Sequence, residues 1–503
     1  MAERNNADAI TALDAGRPAL VWRRRIADTE TPVAAALKLI EPGRGDFLLE
    51  SVEGGAVRGR HSLIGLAPDL VLRANGNRAE INTRWLDDRD AFVPATSPTL
   101  DALRDLVASC RMDVAPELPR ALACLVGYFG YETIGLVEKL PQPATDALGL
   151  PDMMFVRPTV ILVFDRLADA LFLVAPVWPD AARSAAAIVA AAEERLDTVE
   201  ARLTSATLPP RARMDATTDL ALAPVLPAGR YGEMVAAAKE YIAAGDIFQV
   251  VLAQRFTAPF PLPAFELYRA LRRINPSPFL YHLDLPGFAL TGSSPEILVR
   301  ARDGEVTIRP IAGTRPRGRN AVEDAANRDS LLADPKERAE HLMLLDLGRN
   351  DVGRVAAAGT VQVTESYTIE FYSHVMHIVS NVVGRLDPRH DAIDALFAGF
   401  PAGTVSGAPK VRACQIIAEL EPEKRGAYAG CVGYFSPDGS MDSCIVLRTA
   451  VVKDGHIHVQ AGAGIVADSD PASEQRECEA KSGALQAAAR EAIVQASAAG
   501  FGQ

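Results

Sequence analysis

The sequence predicts an α+β protein in which large antiparallel sheets pack between helices. From Phe47 to about Val177, short apolar runs alternate with Gly and Pro punctuation, which is the pattern of strands and turns. In the C-terminal part, the predicted strands come in hairpin-like groups rather than in strict alternation with helices. That grouping favours an antiparallel sheet over a Rossmann arrangement.

The chain of 503 residues, 49% of them hydrophobic, can bury a substantial core. The Ala-rich run 181–203 predicts an amphipathic helix, and a polar, Pro-bearing segment follows it. We therefore predict an N-terminal lobe at 1–205, a linker at 206–227 and a C-terminal region at 228–503. In the C-terminal region we predict strands at 247–256, 279–285, 296–302, 305–310, 444–452 and 456–462, and helices at 229–245, 334–348, 391–400, 408–420 and 471–496.

Composition excludes several classes of protein. The net charge of −12 argues against broad nucleic-acid contact, which needs a basic face. The six cysteines lie far apart without a C-x-x-C pair, so we expect reduced thiols. The N-terminus carries no secretory signal pattern, and charges at Asp165, Arg166 and Asp169 interrupt the best apolar stretch. We expect a cytoplasmic protein without a membrane segment.

Glu474, Glu477 and Lys481 fall on one face of the predicted C-terminal helix. Two carboxylates on one face can bind a hard cation such as Mg²⁺ together with substrate oxygens. The alternative is a solvated charged face. Spacing alone favours the solvated face.

Arg448 lies in the run CIVLRTAVV, where alternation places it on one strand face with Cys444 and Val446. A guanidinium on an apolar face suits a bidentate grip on a carboxylate. The alternative is an edge-strand arginine that reaches for water.

Two glycine-containing strings follow predicted strands: Gly313 with Thr314, and Gly462, Ala463 and Gly464. Glycines there let a ligand approach backbone N–H groups, although an ordinary turn has the same pattern. Neither string has the spacing of a dinucleotide or phosphate loop. His377 lies in a strand-like run, where a structural histidine is the alternative, and sequence does not separate it from His374.

Five strings in the last two hundred residues carry a family resemblance. They are PIAGTRPRG (310–318), DLGRNDVGR (346–354), HVMHIVSNVVG (374–384), PAGTVSGAPK (401–410) and AGAGIVADSDPASEQRECEAK (461–481). Together they resemble the chorismate-utilising enzymes, and among them the large subunits of anthranilate synthases. The resemblance is strong over 228–487 and weaker before it. It implies the fold of that family and the conversion of chorismate and ammonia to anthranilate and pyruvate in tryptophan biosynthesis.

The resemblance also implies roles for individual residues. Glu340 and Glu477 would bind Mg²⁺, while Glu296 would protonate the departing C4 hydroxyl and His377 would serve the loss of pyruvate. A general acid must be protonated near neutrality, so we expect burial to raise the pKa of Glu296. The residues expected to contact the substrate are Gly313, Thr314, Tyr428, Arg448, Gly462, Ala463 and Gly464.

Two positions distinguish branches of the family. Isochorismate and salicylate synthases have a water-activating lysine where this chain has Gln249, and aminodeoxychorismate synthases usually have a nucleophilic lysine where it has Ala312. Both substitutions favour ammonia as the nucleophile. An aminodeoxychorismate synthase and a non-catalytic tryptophan-sensing protein remain the alternatives.

The strings LLESVEGG (48–55) and NPSPF (275–279) resemble the two halves of a tryptophan feedback site. Ser51 would bind the amino-acid head of the effector, and Pro278, Phe279 and Leu280 would close around it; plain strand and turn packing is the alternative. No glutaminase signature is present, so we expect a separate glutamine amidotransferase subunit to supply ammonia within a hetero-oligomer.

Overall fold

The computed structural model describes residues 6–53, 57–141, 145–205, 208, 212–214, 219–372 and 375–497. Their helices are α1 Asn6–Asp14, α2 Pro32–Leu39, α3 Thr99–Ser109, α4 Ala185–Thr204, α5 Arg230–Ala243, α6 Ala264–Ile274, α7 Ala321–Ala333, α8 Pro335–Gly353, α9 Ala392–Gly399, α10 Lys410–Leu420 and α11 Pro471–Ser497, with 3-10 turns at Tyr131–Leu136 and Gly403–Val405.

Their strands are β1 Ala19–Ile26, β2 Asp46–Glu53, β3 Val57–Asn75, β4 Arg78–Asn82, β5 Val93–Pro94, β6 Leu125–Phe129, β7 Met153–Asp165, β8 Ala170–Val177, β9 Ala223–Pro224, β10 Gln249–Pro259, β11 Phe279–Leu285, β12 Phe288–Ser294, β13 Ile297–Arg302, β14 Glu305–Ile308, β15 Ile311–Pro316, β16 Gln362–Phe371, β17 Val375–Arg385, β18 Gly407–Ala408, β19 Cys431–Phe435, β20 Met441–Ile445, β21 Thr449–Lys453 and β22 His456–Ile465.

The strands form two antiparallel runs that share β3 and β7. The first run has the order β1-β8-β7-β3-β2-β11-β12-β21-β22-β10, and the second continues from β7 through β6, β19, β20, β13, β14 and β17 to β16. The C-terminal half of β7 pairs with β8 and its N-terminal half with β6. The long antiparallel pair of β3 and β7 therefore connects the two sheets, and the antiparallel α+β prediction is confirmed.

Both sheets cross the predicted lobe boundary. Ser51 on β2 pairs with Phe279 on β11, and Phe129 on β6 pairs with Cys431 on β19. The short strand β9, inside the predicted linker, pairs with β10. The sheets are thus continuous between the two predicted lobes, and the division at 206–227 stays a prediction.

A hydrophobic core lies between the two sheets. Phe47 and Tyr281 from the first run meet Tyr128 and Met154 from the second there. Helices cover the outer faces: α4 packs on β8, while α6 and α11 pack together against β12 and β22. None of the helices in the described ranges is long and apolar enough to cross a membrane.

Helices α8 and α11 begin at aspartates whose side chains satisfy free backbone N–H groups. The Asp334 carboxylate accepts from Lys336 N and Glu337 N, at 2.9 and 3.3 Å, and Asp470 accepts from Ser473 N at 2.9 Å. Such N-caps define the first turn of a helix. The side chains one and two turns later are thereby fixed in direction.

The single strand predicted at 444–452 is wrong. It divides into β20 and β21, with Val446–Arg448 between them and Arg448 in the left-handed region at φ +48. The cause is a change of sheet, since β20 pairs with β13 and β19 whereas β21 pairs with β12 and β22. Arg448 therefore does not share a strand face with Cys444 and Val446.

The predicted end of the strand at 456–462 is also wrong. Strand β22 continues to Ile465, and Gly462, Ala463 and Gly464 pair with β10 instead of forming a turn. Gly313 likewise lies inside β15, at an irregularity in its pairing with β17. Both glycine strings are parts of strands.

Candidate active site

The predicted site residues lie on neighbouring elements, since α8 packs on β15 and β17 and α11 packs on β22, and the region that these elements border is here named the cleft. Three loops complete it: the turn between β12 and β13, the break between β20 and β21, and the 3-10 turn at Gly403–Val405. One end of the cleft is buried and the other is open to solvent. His374 lies outside the described residues.

Glu296 occupies the buried end, in the turn between β12 and β13, with 7% of its surface exposed. The Thr404 hydroxyl lies 3.2 Å from each carboxylate oxygen of Glu296. Burial raises the pKa of Glu296 to about 8, against the opposing effects of Thr404 and Arg448. The carboxyl group is thus mostly protonated at neutral pH, as a general acid requires.

His377, on β17, is buried and held by the neighbouring strand. Its Nδ1 atom lies 3.0 Å from the Gly313 carbonyl oxygen and 3.1 Å from Thr314 Oγ1. A carbonyl oxygen only accepts, so Nδ1 carries the hydrogen and Nε2 is free to take up a proton. Burial lowers the pKa of His377 to about 4, which keeps the ring neutral.

The Gly313 carbonyl reaches His377 because β15 bulges at this point. Gly313 has φ +74, and the pairing of β15 with β17 shifts register between Ala312 and Thr314. Glycine adopts this conformation without the strain that a side chain would add. The sequence string 310–318 therefore contains the bulge that orients the imidazole.

Arg448 is half-buried between Glu296 and His377. Burial lowers its pKa, whereas Tyr372 and Glu296 act in the opposite direction. Among the described residues, no hydrogen bond or ion pair reaches its guanidinium. A desolvated cation without a partner is costly, so an anionic ligand would stabilise this arrangement.

Gly462 and Gly464 let two side chains lie close against β22. A Cβ atom at Gly462 would come 2.9 Å from the Tyr428 hydroxyl, and one at Gly464 would come 2.5 Å from Gln249 Nε2. Tyr428 is itself buried beside the Arg425 guanidinium, 5.6 Å from its ring centre. The glycine string thus brings a hydroxyl and an amide to one wall of the cleft.

The open end of the cleft contains the two predicted metal ligands. Burial, and then the negative charges of Glu337 and Glu477, raise the pKa of Glu340. Lys481 forms an ion pair with Glu477 at 2.7 Å and donates to the Gly462 carbonyl at 2.9 Å. Burial and the charge of Glu477 also raise the pKa of Glu474. Carboxylates from α8 and α11 therefore face one another.

This donor set fits a hard cation that keeps other oxygen ligands. In the described part of the chain, no group of three or more His, Cys, Asp or Glu side chains is arranged to hold a metal. Mg²⁺ usually binds one or two carboxylates and fills its remaining positions with water or substrate oxygens. The repulsion between Glu340 and Glu477 would be relieved by such an ion.

Two further sequence strings meet behind the cleft. Lys410, at the start of α10, forms a nearly buried ion pair with Asp351 of α8 at 2.8 Å and donates to the Gly399 carbonyl. These contacts flank the turn that carries Thr404. Sequence reasoning missed Thr404, although it lies in the quoted string 401–410, and missed Tyr372, for which no string gave a signal.

A second cavity, of about 250 Å³, lies between the two sheets. Ser51, Phe279 and Leu280 line it together with Tyr434 and Cys444, whereas Pro278 lies in the bend just before β11 and does not line it. Two residues of the predicted effector string, Gly54 and Gly55, lie outside the described residues. The predicted effector residues are thus brought together apart from the cleft.

Sequence comparison identifies the relatives of this chain. The family of chorismate binding enzymes matches residues 51–487. Anthranilate synthase component 1 of Cereibacter sphaeroides is 51% identical over 97% of this chain and 98% of its own length. The same component from Thermus thermophilus is 46% identical over 92% of this chain and 95% of its own length.

Structural comparison agrees. Anthranilate synthase component I from Streptococcus pneumoniae superposes with a TM-score of 0.74 at 37% identity, covering 85% of this chain and 92% of that one. The menaquinone-specific isochorismate synthase of Escherichia coli, at 20% identity and a TM-score of 0.71, shares the fold over 96% of this chain and 100% of its own. With its fold, its cleft and these relatives in agreement, the chain belongs to the family of chorismate binding enzymes.

Proposed function

We propose that the chain is an anthranilate synthase component I, which converts chorismate and ammonia to anthranilate and pyruvate. One observation carries the proposal: an unpaired guanidinium, a protonated carboxyl and a neutral imidazole meet at the buried end of the cleft. These groups are Arg448, Glu296 and His377. Five relatives between 42% and 51% identical are each anthranilate synthase component 1.

Each group has a task in this reaction. Arg448 binds a carboxylate of chorismate, and Tyr428 with the Gly462–Gly464 strand positions the ring. Glu296 protonates the C4 hydroxyl, which leaves as water when ammonia adds at C2. Neutral His377 then serves the second step, in which C2 loses a proton and the enolpyruvyl group leaves C3 as pyruvate. The aminodeoxyisochorismate formed in between stays bound.

Mg²⁺ is the proposed cofactor, held by Glu340 and Glu477. When bound, it would neutralise and orient the ring carboxylate of the substrate. The support is the facing pair of carboxylates, with the raised pKa of Glu340. Lys481 would remain beside the site and compete with the ion for Glu477.

The proposal includes a partner subunit and an effector. A glutamine amidotransferase would supply ammonia in a hetero-oligomer, as the name component 1 of the relatives implies. Tryptophan would inhibit from the cavity lined by Ser51, Phe279 and Leu280. The cytoplasmic location predicted from the sequence is supported by six buried, unpaired cysteines.

A single assay tests the reaction. Purified chain, chorismate, Mg²⁺ and ammonium at alkaline pH should give anthranilate fluorescence and an equal amount of pyruvate. An aminated product without pyruvate would favour the aminodeoxychorismate synthase alternative. Tryptophan binding without any product would favour the non-catalytic alternative. Activity with glutamine should appear only after an amidotransferase subunit is added.

A further inference from the structure

Tyr372 lies against the imidazole of His377, at the end of the hairpin formed by β16 and β17. The ring centres are 5.2 Å apart with an interplanar angle of 72°, an edge-to-face arrangement that aromatic rings favour. Tyr372 is 6% exposed. Tyr372 is also close enough to Arg448 and Glu296 to interact with them electrostatically, so it lies near the other two groups at the buried end.

The tyrosine is fixed at both of its ends. Its hydroxyl donates to Glu370 Oε2 at 3.0 Å, and Arg309 holds the other Glu370 oxygen at 2.6 Å. Its own carbonyl accepts from Arg317 Nη1 at 2.8 Å, and its N–H donates to the Val375 carbonyl. One hydrogen bond at the hydroxyl and two at the backbone therefore leave the ring little freedom.

The imidazole of His377 is thus confined on two sides. The Gly313 carbonyl fixes Nδ1, and the Tyr372 ring packs against the imidazole and limits its rotation. We propose that Tyr372 is a positioning residue for His377, held in place by Glu370 and Arg309, and that it acts in the pyruvate-releasing step. This inference rests on the proposed function for its step, although not for its geometry.

Proton transfer depends on placing the base within hydrogen-bond reach of the proton, and small displacements are costly. The charged groups that face His377 are Glu370 and Arg448, which act on its pKa in opposite directions. Removing the Tyr372 ring would admit water between them. The cost of charging the imidazole would then fall.

Three variants separate the parts of this arrangement. Tyr372→Phe keeps the ring and removes the hydroxyl, Glu370→Gln weakens the anchor, and Tyr372→Leu removes the ring. Glu365→Gln is the matched control, because Glu365 lies on β16 and also accepts a hydrogen bond from Arg309, but it is not bonded to Tyr372. Thermal unfolding and near-UV circular dichroism establish that each variant is folded.

Two measurements are made on each variant. The first is the ratio of aminodeoxyisochorismate to anthranilate, which is determined by chromatography. It is recorded together with kcat and the chorismate KM. We expect kcat to fall about 2- to 10-fold in Tyr372→Phe, the effect of one hydrogen bond. In Tyr372→Leu we expect a fall of up to about 100-fold, with the intermediate accumulating and KM little changed.

The second measurement is the NMR titration of the His377 ring, assigned by its loss in His377→Gln. Because burial lowers the pKa of His377, Tyr372→Leu should raise it towards the ordinary histidine value, and Glu365→Gln should leave it unchanged. An unchanged titration and an unchanged product ratio in folded Tyr372→Leu or Tyr372→Phe would overturn the positioning role. If the parent makes no anthranilate, the proposed function fails, while the titration still decides the geometry.

Discussion

The two ends of the cleft control charge in different ways. At the buried end, Glu296 and His377 are 7% and 8% exposed, and burial is the largest effect that favours the neutral form of each. At the open end, the side chains of Glu477 and Lys481 are 47% and 51% exposed and compensate each other. Burial also raises the pKa of Glu340 at the open end, but there the exposed ion pair between Glu477 and Lys481 balances charge as well, and the buried end has no such pair among the described residues.

This difference assigns proton chemistry and ion binding to separate places. A carboxyl group that must give up a proton gains from a dry environment, which keeps it protonated until the reaction. A carboxylate that must bind Mg²⁺ has to stay ionised and exchange water, so partial exposure suits it. Substitutions at the two ends should therefore lower activity in different ways.

The largest effect is expected from Glu296→Gln, which keeps the shape of the buried acid and removes its proton. We expect kcat to fall about 10²- to 10⁴-fold, the usual contribution of a general acid. The loss should not be reversed by added Mg²⁺. Anthranilate fluorescence at saturating chorismate measures it, and near-parent activity in Glu296→Gln would remove this residue from the mechanism.

Glu477→Gln should weaken Mg²⁺ binding at the open end. We expect a loss of roughly 100-fold at ordinary Mg²⁺, corresponding to a few kcal/mol of charge stabilisation, with partial recovery as Mg²⁺ is raised. Glu479→Gln is the control, because Glu479 is exposed on the same helix and bonded only to Gln475 among neighbouring side chains of the described chain. Activity that survives at ordinary Mg²⁺ would disprove the metal assignment.

Thr404→Val tests the comparison through the pH dependence of activity. Activity that needs protonated Glu296 should fall as pH rises through about 8, the pKa of the buried carboxyl. The Thr404 hydroxyl stabilises the charged form of Glu296, so its loss raises the pKa of Glu296. The alkaline limb of the pH–activity profile should then move to higher pH by about 1 unit. Total ammonium is adjusted to hold free ammonia constant, and Thr364→Val, on the exposed face of β16, is the control. A limb that moves to lower pH would contradict this account.

Ser51→Ala lies at neither end and should change catalysis least. We expect tryptophan inhibition to weaken about 10-fold, as one hydrogen bond to a charged ligand is lost, while kcat and the chorismate KM stay at parent values. Inhibition curves of both proteins, recorded at one chorismate concentration, measure this. Equal inhibition, or a parent that tryptophan does not inhibit, would leave the cavity without this role.

The fold class and most elements could be predicted from the sequence because their signals are local. Helix α11 and strand β11 follow from residues within each segment, and the structure places them where the patterns indicated. The prediction of one strand for CIVLRTAVV was wrong because the apolar pattern is continuous, whereas the pairing partners of the chain change after Ile445. The periodicity of apolar residues reflects burial and does not indicate which sheet a strand joins.

The site could be predicted only where residues lie in recognisable strings. Glu296, His377 and Arg448 were found in this way, and the structure brings them together. Tyr372 was missed because its role depends on contacts with Glu370, with Arg309 through Glu370, and with the His377 ring on the next strand. Contacts between distant segments carry no signal in one sequence.

The sharing of sheets between the two halves has a consequence for synthesis on the ribosome. Strands β2 and β6 leave the ribosome more than 200 residues before their partners β11 and β19. At about 5–20 residues per second, their edges wait for ten seconds or more without pairing. Exposed edges of this kind invite association with other chains. The nascent chain should therefore depend on chaperones until β19 has emerged.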